Sequence, residues 1–164
     1  MAKSLKTETS FAPYAASDFT LASSAGGHVS LADLKGSWAV LFFYPTDNTP
    51  TCTQEACAFS EALPEFAKLG AKLYGVSKDS LKDHDKFITK YGLRMPLLSD
   101  PDTSTIAAFG SWGEKKLYGR IYMGTDRSTF IIDPQGVIRK VWRKVKVKNH
   151  IDEVLSALKS LKIA

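Results

Sequence analysis

The stretch Trp38-Ala39-Val40-Leu41-Phe42-Phe43-Tyr44, followed by Pro45, decides the fold of this 164-residue chain. It is a continuous apolar run, rich in aromatic residues and bounded by Gly36 and Pro45, as is typical of a strand buried on both faces of a sheet. It is also far shorter than the roughly 20 apolar residues that a membrane helix requires, so no membrane association is expected. The run therefore predicts the central strand of a sheet.

Helical and strand patterns alternate on the C-terminal side of this run. A helix is predicted from about residue 51 to Leu69, with Gly70 as its stop, followed by a second buried strand at 71–76 and an amphipathic helix at 80–91. Strand, helix and strand in this order make a right-handed parallel crossover. Residues 128–147, which contain a Pro-Gln-Gly turn, indicate a β-hairpin, and a terminal helix follows at 150–161.

This order of elements predicts an α/β fold of the thioredoxin-like class, with a central mixed β-sheet flanked by helices. We expect one domain over residues 1–164 with an ordered core from about residue 10. A domain of this size needs neither a disulfide framework nor a structural metal, so its two cysteines need another explanation. Residues 1–8 lack the apolar segment of a secretory signal, which favours a reducing, cytoplasmic setting.

The formal charge of +5 is concentrated in residues 139–148, RKVWRKVKVK, which hold six basic and no acidic side chains. Without them, 16 basic residues face 17 acidic ones, a net charge of −1. Because valines and lysines alternate here at strand period, we favour an edge strand guarded by lysines. A binding module that uses this segment on nucleic acid or an acidic partner is the less favoured alternative, so no nucleic-acid partner is expected.

A thiol follows the predicted central strand, in the segment Pro45-Thr46-Asp47-Asn48-Thr49-Pro50-Thr51-Cys52. Sites in open α/β sheets gather beyond the carboxyl ends of the parallel strands, where this segment lies. Thr49 and Pro50 fit the N-cap and first residue of the next helix, and Thr51 fits an N-cap one register later. In either case Cys52 lies in the first turn, where backbone N–H groups and the helix dipole favour an anion. We expect a reactive Cys52, largely thiolate at neutral pH, rather than a small buried hydrophobic residue.

Cys57 follows five residues later on the same predicted helix. In an intact helix the two Cα atoms would lie about 8.6 Å apart, beyond the roughly 7 Å that a disulfide allows. The short segment closes readily once the first turns unwind, and Pro64 weakens the helix further by removing a backbone donor. The spacing leaves two interpretations open: a redox-coupled unwinding, or a Cys57 that packs in the core beside Phe59, which is favoured without a reactive partner.

An attacking thiolate needs groups that hold the charge developing on its substrate. Thr49 offers a hydroxyl, and a guanidinium would stabilise both the thiolate and an anionic transition state. Arg127 could equally form a surface ion pair with Asp126, so the residues alone do not choose among five arginines: Arg94, Arg120, Arg127, Arg139 and Arg143.

Neither a metal nor another cofactor is expected. The cysteine spacing matches no zinc signature, the three histidines are scattered singly, and no phosphate-cradling loop is present. His84, between Asp83 and Asp85 on a helix, is expected to be solvated.

The segment from Pro45 to Cys52 fits the pattern P-x-x-x-T-x-x-C, and the longer run FFYPTDNTPTCTQEACAF resembles the bacterioferritin-comigratory, or peroxiredoxin Q, branch of the peroxiredoxins (the AhpC/TSA family). The C-x-x-x-x-C spacing points to that branch. Agreement spans nearly the whole chain and continues in order through VSLADLKG at 29–36, GVSKDS at 75–80, PLLSD at 96–100, FGSWGEKKLYGR at 109–120 and DRSTFIIDPQG at 126–136.

The resemblance implies a thioredoxin-fold peroxidase of the atypical two-cysteine type, commonly a monomer, that reduces hydrogen peroxide and organic hydroperoxides with electrons from thioredoxin. It makes Cys52 the peroxidatic cysteine, with Thr49 and Arg127 as active-site residues and Pro45 shaping and shielding the pocket. It makes Cys57 the resolving cysteine, which condenses with a sulfenic acid on Cys52 to form an intramolecular disulfide.

Thr51 occupies a position where the branch usually has glycine, which affects substrate access or the ease of unwinding.

A general thiol-disulfide oxidoreductase on the same fold is an alternative, but such enzymes ordinarily show a C-x-x-C motif, which this chain lacks.

Overall fold

The computed structural model describes residues 11–163. Its strands are β1 (Tyr14–Ala15), β2 (Thr20–Ser23), β3 (His28–Ser30), β4 (Trp38–Phe43), β5 (Ala71–Ser77), β6 (Leu97–Ser99), β7 (Trp112–Leu117), β8 (Arg120–Thr125), β9 (Ser128–Ile132) and β10 (Val137–Trp142). Its helices are α1 (Leu31–Leu34), α2 (Pro50–Lys68), α3 (Leu81–Tyr91), α4 (Ser104–Ala108) and α5 (His150–Ile163). The opening segment, on which the expectation of no secretory signal rests, lies outside the described residues.

Eight strands form one mixed sheet in the order β1-β10-β9-β4-β5-β6-β2-β3. The predicted central strand β4 lies between β5, with which it pairs in parallel, and β9, with which it pairs antiparallel. The β4-α2-β5 unit is the predicted parallel crossover, and β9 with β10 is the predicted antiparallel hairpin. The prediction of an α/β fold with a central mixed sheet is therefore confirmed.

The side chains of β4 alternate between two hydrophobic cores, one on each face of the sheet. Val40 and Phe42 pack with residues of α2, α3 and α5, whereas Leu41 and Phe43 pack with residues of α1 and α4. Every residue from Ala39 to Tyr44 is at most 1% exposed. Because helices cover both faces, the strand is continuously apolar instead of alternating with polar residues.

Helix α2 begins in the first of the two registers that the sequence allowed. Thr49 is its N-cap, with extended backbone, and Pro50 is its first residue, where a missing N–H costs no hydrogen bond. The helix remains continuous through Pro64 and ends at Lys68. Gly70, with a φ of 71°, takes the left-handed conformation that follows a helix end, as predicted.

The strand predicted to reach residue 147 ends earlier, at Trp142. Lys144 has a φ of 49°, and its N–H donates to Oδ1 of Asp126 at 3.1 Å, while the N–H of Val145 donates to the carbonyl of Arg127 at 3.0 Å. These backbone donors thus bind the turn before β9 and not a neighbouring strand. The interpretation of residues 143–148 as part of a lysine-guarded edge strand is therefore wrong.

Two arginines of the basic segment are bound within the chain. Arg139 lies 3.4 Å from the carboxylate of Asp133, and Arg143 donates to the carbonyls of Gly110 and Phe109 at 3.0 and 3.2 Å. These contacts connect β10 and the residue after it to neighbouring parts of the chain. Part of the concentrated positive charge therefore stabilises the fold.

The β7–β8 hairpin pairs only with itself among the described strands and carries exposed apolar residues, with Tyr118 at its tip. Within residues 11–163, no helix combines the length and the apolar character needed to cross a membrane.

Candidate active site

Cys52 is the third residue of α2 and lies in its first turn, as the sequence predicts. The first backbone hydrogen bond of this segment runs from the N–H of Thr53 to the carbonyl of Thr49 at 2.8 Å, so the N–H of Cys52 precedes the helical ladder. The side chain is only 2% exposed and packs against the core beneath α2. From the sequence, a reactive thiol at the helix start and a buried cysteine were alternatives. In the structure, Cys52 is both at the helix start and buried.

Arg127 is the arginine that reaches the thiol. Its Nη2 atom lies 3.4 Å from Sγ of Cys52, and its Nη1 atom donates to Oε1 of Glu55 at 2.7 Å. Burial lowers the pKa of Arg127, but Glu55 and Cys52 outweigh it and raise the pKa above its usual value. The surface pair with Asp126 considered from the sequence does not form: the guanidinium binds Glu55 and Cys52, and the Asp126 carboxylate accepts from the backbone N–H of Lys144.

Glu55 is a site residue that the sequence reasoning missed. It lies three residues after Cys52, on the same face of α2, and it is fully buried. Its Oε1 atom binds Arg127, whereas its Oε2 atom has no hydrogen-bond partner among the described residues. Burial raises the pKa of Glu55 to about 7, against the opposing effect of the Arg127 guanidinium. The signal available in the sequence was its helical spacing from the thiol.

Thr49 does not cap the helix with its side chain. Its hydroxyl instead donates to the carbonyl of Thr46 at 3.0 Å. Because the hydroxyl hydrogen is used there, the oxygen is left as an acceptor for a hydrogen-bond donor. Pro45, at the start of the same loop, is half-buried, and its carbonyl accepts from the ammonium group of Lys78 at 3.0 Å.

The expectation that His84 is solvated is wrong. Its side chain is fully buried, with Nδ1 2.7 Å from Oδ2 of Asp47 and Nε2 3.1 Å from the carbonyl of Leu98. Its neighbours Asp83 and Asp85 are exposed, since adjacent residues on a helix point in different directions. His84 therefore faces the loop that leads to Cys52.

Cys57 lies two residues after Glu55 on α2, on a different face of the helix, and is partly buried against the core beneath it. Both cysteines are free thiols, and α2 is unbroken between them. Burial and the nearby Glu61 carboxylate raise the pKa of Cys57. In this conformation the two thiols are thus held apart, at the helical spacing of about 8.6 Å between Cα atoms.

A model of the AhpC/TSA family matches residues 13–141. The chain belongs to this family. Peroxiredoxin Bcp of Xanthomonas campestris is 47% identical over 148 residues, which cover 90% of this chain and 92% of that protein. Peroxiredoxin Bcp of Bacillus subtilis is 47% identical over 146 residues, covering 89% and 93%.

The fold of this AhpC/TSA family member is also that of a solved relative. The structure of Xanthomonas campestris peroxiredoxin Q is 47% identical and superposes with a TM-score of 0.83, covering 87% of this chain and 90% of that one. The resemblance to the peroxiredoxin Q branch and the thioredoxin-like fold are both confirmed.

The predicted site residues of this AhpC/TSA family member lie in three different positions relative to the thiol. Arg127 meets the thiol of Cys52 directly, while Thr49 and Pro45 lie in the loop that leads to it. Cys57 is on the same helix, without contact to the first thiol in this conformation. Such an arrangement can hold a thiolate beside a fixed positive charge at a position where the sulfur is almost fully buried.

Proposed function

We propose that Cys52 is the peroxidatic cysteine of a thiol-dependent peroxidase that reduces hydrogen peroxide and organic hydroperoxides. The observation that carries this proposal is the 3.4 Å contact between Nη2 of Arg127 and Sγ of a cysteine in the first turn of a helix. The Cys52 thiolate attacks the terminal peroxide oxygen, so that an S–O bond forms and the O–O bond breaks. The sulfur is oxidised by two electrons to a sulfenic acid, and the leaving oxygen takes a proton and departs as water or an alcohol.

The neighbouring groups have separate tasks in this step. Arg127 stabilises the thiolate and then the negative charge on the departing oxygen, and Glu55 fixes the guanidinium in place. The hydroxyl oxygen of Thr49 accepts a hydrogen bond from the peroxide O–H, since its own hydrogen is bound to Thr46. Pro45 shields the pocket from solvent. A solved structure that is 46% identical to this chain belongs to a study of alkyl peroxide reduction by Xanthomonas campestris bacterioferritin comigratory protein. This likeness supports organic hydroperoxides as substrates.

Cys57 is the resolving cysteine in this proposal. Its sulfur attacks the sulfenic sulfur of Cys52, the S–S bond forms, the S–O bond breaks and water leaves. The first turns of α2 must unwind before this step, because a disulfide needs Cα atoms within about 7 Å. Burial and Glu61 keep Cys57 protonated in the folded helix. Unwinding removes both effects, so the thiol becomes a better nucleophile when its partner comes within reach.

The disulfide is returned to two thiols by a dithiol protein such as thioredoxin, which supplies two electrons by thiol-disulfide exchange. A cytoplasmic setting fits this cycle because dithiol reductants keep that compartment reducing. A monomer suffices, since both cysteines belong to one helix of one chain.

Single cysteine variants test this function. Cys52→Ser should abolish peroxide consumption coupled to thioredoxin, and full activity in that variant would refute the assignment. Cys57→Ser should still form one sulfenic acid per chain, trapped with a sulfenic-acid reagent, but should not turn over through a disulfide. Mass mapping of the peroxide-treated protein should show a Cys52–Cys57 disulfide; two free thiols would remove the resolving role.

A general thiol-disulfide oxidoreductase is distinguished in the same preparation. Such an enzyme would reduce a disulfide-containing protein without any peroxide, whereas the peroxidase should be inactive in that assay.

A further inference from the structure

Asp47 lies in the loop before Cys52 and takes no part in the contacts at the thiol. Its carboxylate is nevertheless only 5% exposed and is bound on both oxygens. Oδ1 accepts from the hydroxyl of Tyr44 at 2.5 Å, and Oδ2 lies 2.7 Å from Nδ1 of His84. The loop is thereby joined to the end of β4 and to α3, two elements outside α2.

The same residue is held a second time through its backbone. The N–H of Asp47 donates to Oδ2 of Asp79 at 2.9 Å, and that oxygen also accepts from the hydroxyl of Ser77 at 2.6 Å. Main chain and side chain of one loop residue are therefore fixed to neighbouring elements of the fold.

The contact between Asp47 and His84 depends on a shared hydrogen. The carbonyl of Leu98 only accepts, so Nε2 of His84 carries a hydrogen. Burial and the Asp47 carboxylate raise the pKa of Tyr44 well above its usual value, so its hydroxyl remains a donor to Oδ1. One further hydrogen must lie between Nδ1 and Oδ2. Breaking the contact would leave two buried atoms, Nδ1 of His84 and Oδ2 of Asp47, without a hydrogen-bond partner. The arrangement in which the two side chains are in contact is therefore favoured.

The loop before Cys52 has few other side-chain anchors, whereas the helix that follows it is held by the burial of Cys52 and by the Glu55–Arg127 pair. The Thr49 side chain makes no cap, and the first turn has no acidic residue. The other side-chain contacts to the loop, from Lys78 to Pro45 and from Tyr91 to Asn48, are at exposed positions, where such contacts contribute little.

We infer that Asp47 and His84 are positioning residues that hold the loop before Cys52 in its folded arrangement, and so set the balance between peroxide attack and the unwinding that brings Cys57 to Cys52. This inference rests on the proposed function. Peroxide attack needs the folded pocket with Arg127 in contact, while disulfide formation needs α2 unwound. A firm loop favours the first step, and a loosened loop favours the second.

Two substitutions at His84 separate positioning from simple packing. In His84→Asn the amide nitrogen takes the place of Nδ1 and keeps the donor to Asp47. In His84→Gln the amide nitrogen takes the place of Nε2, which keeps the donor to Leu98 and loses the one to Asp47. Asp85→Asn, an exposed neighbour on the same helix, is the control for substitution on α3.

The readout is the ratio of two products in reduced enzyme treated with excess hydrogen peroxide. Acid quenching, thiol alkylation and mass analysis give the Cys52–Cys57 disulfide and the Cys52 sulfinic acid, and the rate of thiol loss at low peroxide gives the attack step. His84→Gln should raise the ratio of disulfide to sulfinic acid at least threefold and slow attack at least threefold. His84→Asn and Asp85→Asn should stay within twofold of the wild type.

Equal effects of the two His84 variants, or no change in the product ratio in either, would overturn the inference. Tyr44→Phe removes one hydrogen bond to Asp47 and keeps the ring, so it should shift the ratio in the same direction even where His84→Gln fails to fold. The result for the wild type separates a failure of the proposed function from a failure of the positioning role. If the wild type loses no Cys52 thiol with peroxide, the peroxidatic role fails; if it loses the thiol but forms no disulfide, the resolving role fails, and the positioning role fails with it. If it forms the disulfide and the variants leave the ratio unchanged, only the positioning role fails.

Discussion

The Nη2 atom of Arg127 lies 3.4 Å from the Sγ atom of Cys52, although the two residues are 75 positions apart in the chain. Glu55 holds the guanidinium beside the thiol, because its Oε1 atom binds the Nη1 atom of Arg127 at 2.7 Å. Glu55 and Cys52 belong to the same helix. The basic segment after β10 contributes as well, since the N–H of Val145 binds the carbonyl of Arg127. The positive charge at the thiol is thus held by two contacts, one to the guanidinium and one to the backbone of Arg127.

Replacing Arg127 should slow peroxide attack more than any change at the other four arginines. Arg127→Gln removes the charge, and Arg127→Lys keeps it but cannot bind Glu55 and Cys52 with two separate nitrogens of one plane. We expect about a 100-fold loss in the second-order rate constant for Gln and about tenfold for Lys, as for removal of one donor from an anion-stabilising site. Stopped-flow measurement of thiol oxidation gives these constants.

The matched control for this prediction is Arg139→Gln, which loses a partner at Asp133, at the opposite end of β9 from Arg127. It should change the rate constant less than twofold. A loss at Arg139 as large as at Arg127 would show that net charge matters and position does not.

Glu55→Gln should change how stability depends on pH. Burial raises the pKa of Glu55 to about 7, so the folded state retains a proton that the unfolded chain releases near 4.5. The stability that this proton contributes is fully present below about pH 4.5 and is lost as the pH rises through about 7. The free energy of unfolding of the wild type, minus that of Glu55→Gln, should therefore fall by up to about 3 kcal/mol over this interval.

Urea unfolding under reducing conditions at a series of pH values measures this difference. Glu65→Gln, an exposed position on the same helix, is the control and should give a flat difference. A flat difference for Glu55→Gln as well would mean that Arg127 keeps the carboxylate ionised throughout.

The sequence predicted the fold because its decisive signals are local. The run from Ala39 to Tyr44 is apolar without interruption, and the Thr49-Pro50 pair at one end and Gly70 at the other delimit α2 by their own backbone preferences. The position of Cys52 followed from these same signals, since the end of the strand and the start of the helix determine it.

Three features could not be predicted from the sequence, because they depend on residues that are distant in the chain. His84 has acidic residues on both sides in sequence, yet Phe87, three residues later, faces the core on the same side of α3. Glu55 likewise shares its face of α2 with buried Phe59. Helical spacing marked both positions as inward, but only the fold supplies the partners that make a buried charge tolerable. The end of β10 depends on Asp126 and Arg127, which are remote in sequence from the residues that bind them.

Gly75→Ala should destabilise the fold through close contact alone. A Cβ atom at this position in β5 would lie 2.7 Å from Cζ of Phe42 and 2.8 Å from Cδ2 of Leu97. Both neighbours are fully buried, so relief requires shifts in a packed core, at a cost of about 1–3 kcal/mol. Gly113→Ala is the matched strand control, because no atom lies within 4 Å of its added Cβ. Urea unfolding should show a lower midpoint for Gly75→Ala only, and equal midpoints would contradict the packing described for this sheet.

His150, at the start of α5, should make the protein less stable in acid. Its ring lies edge-on to Phe59 and Trp142, with Nε2 2.8 Å from the hydroxyl of Thr129. Burial, assisted by the positive charge of Arg127, lowers the pKa of His150 to about 4. The folded state therefore excludes a proton that the unfolded chain binds near pH 6.5, so the stability contributed by neutral His150 is fully present above that pH and is lost on acidification towards pH 4.

His150→Gln removes this titration and retains a hydrogen-bonding group for Thr129. The free energy of unfolding of the wild type minus that of the variant should fall by about 3 kcal/mol between pH 7 and pH 4, while the exposed His28→Gln gives no such change. The sign is opposite to that expected for Glu55 in the same range, so the two titrations partly cancel in the wild type. A steep acid loss in the wild type that His150→Gln leaves intact would place its origin elsewhere, since Glu55 acts in the stabilising direction as the pH falls.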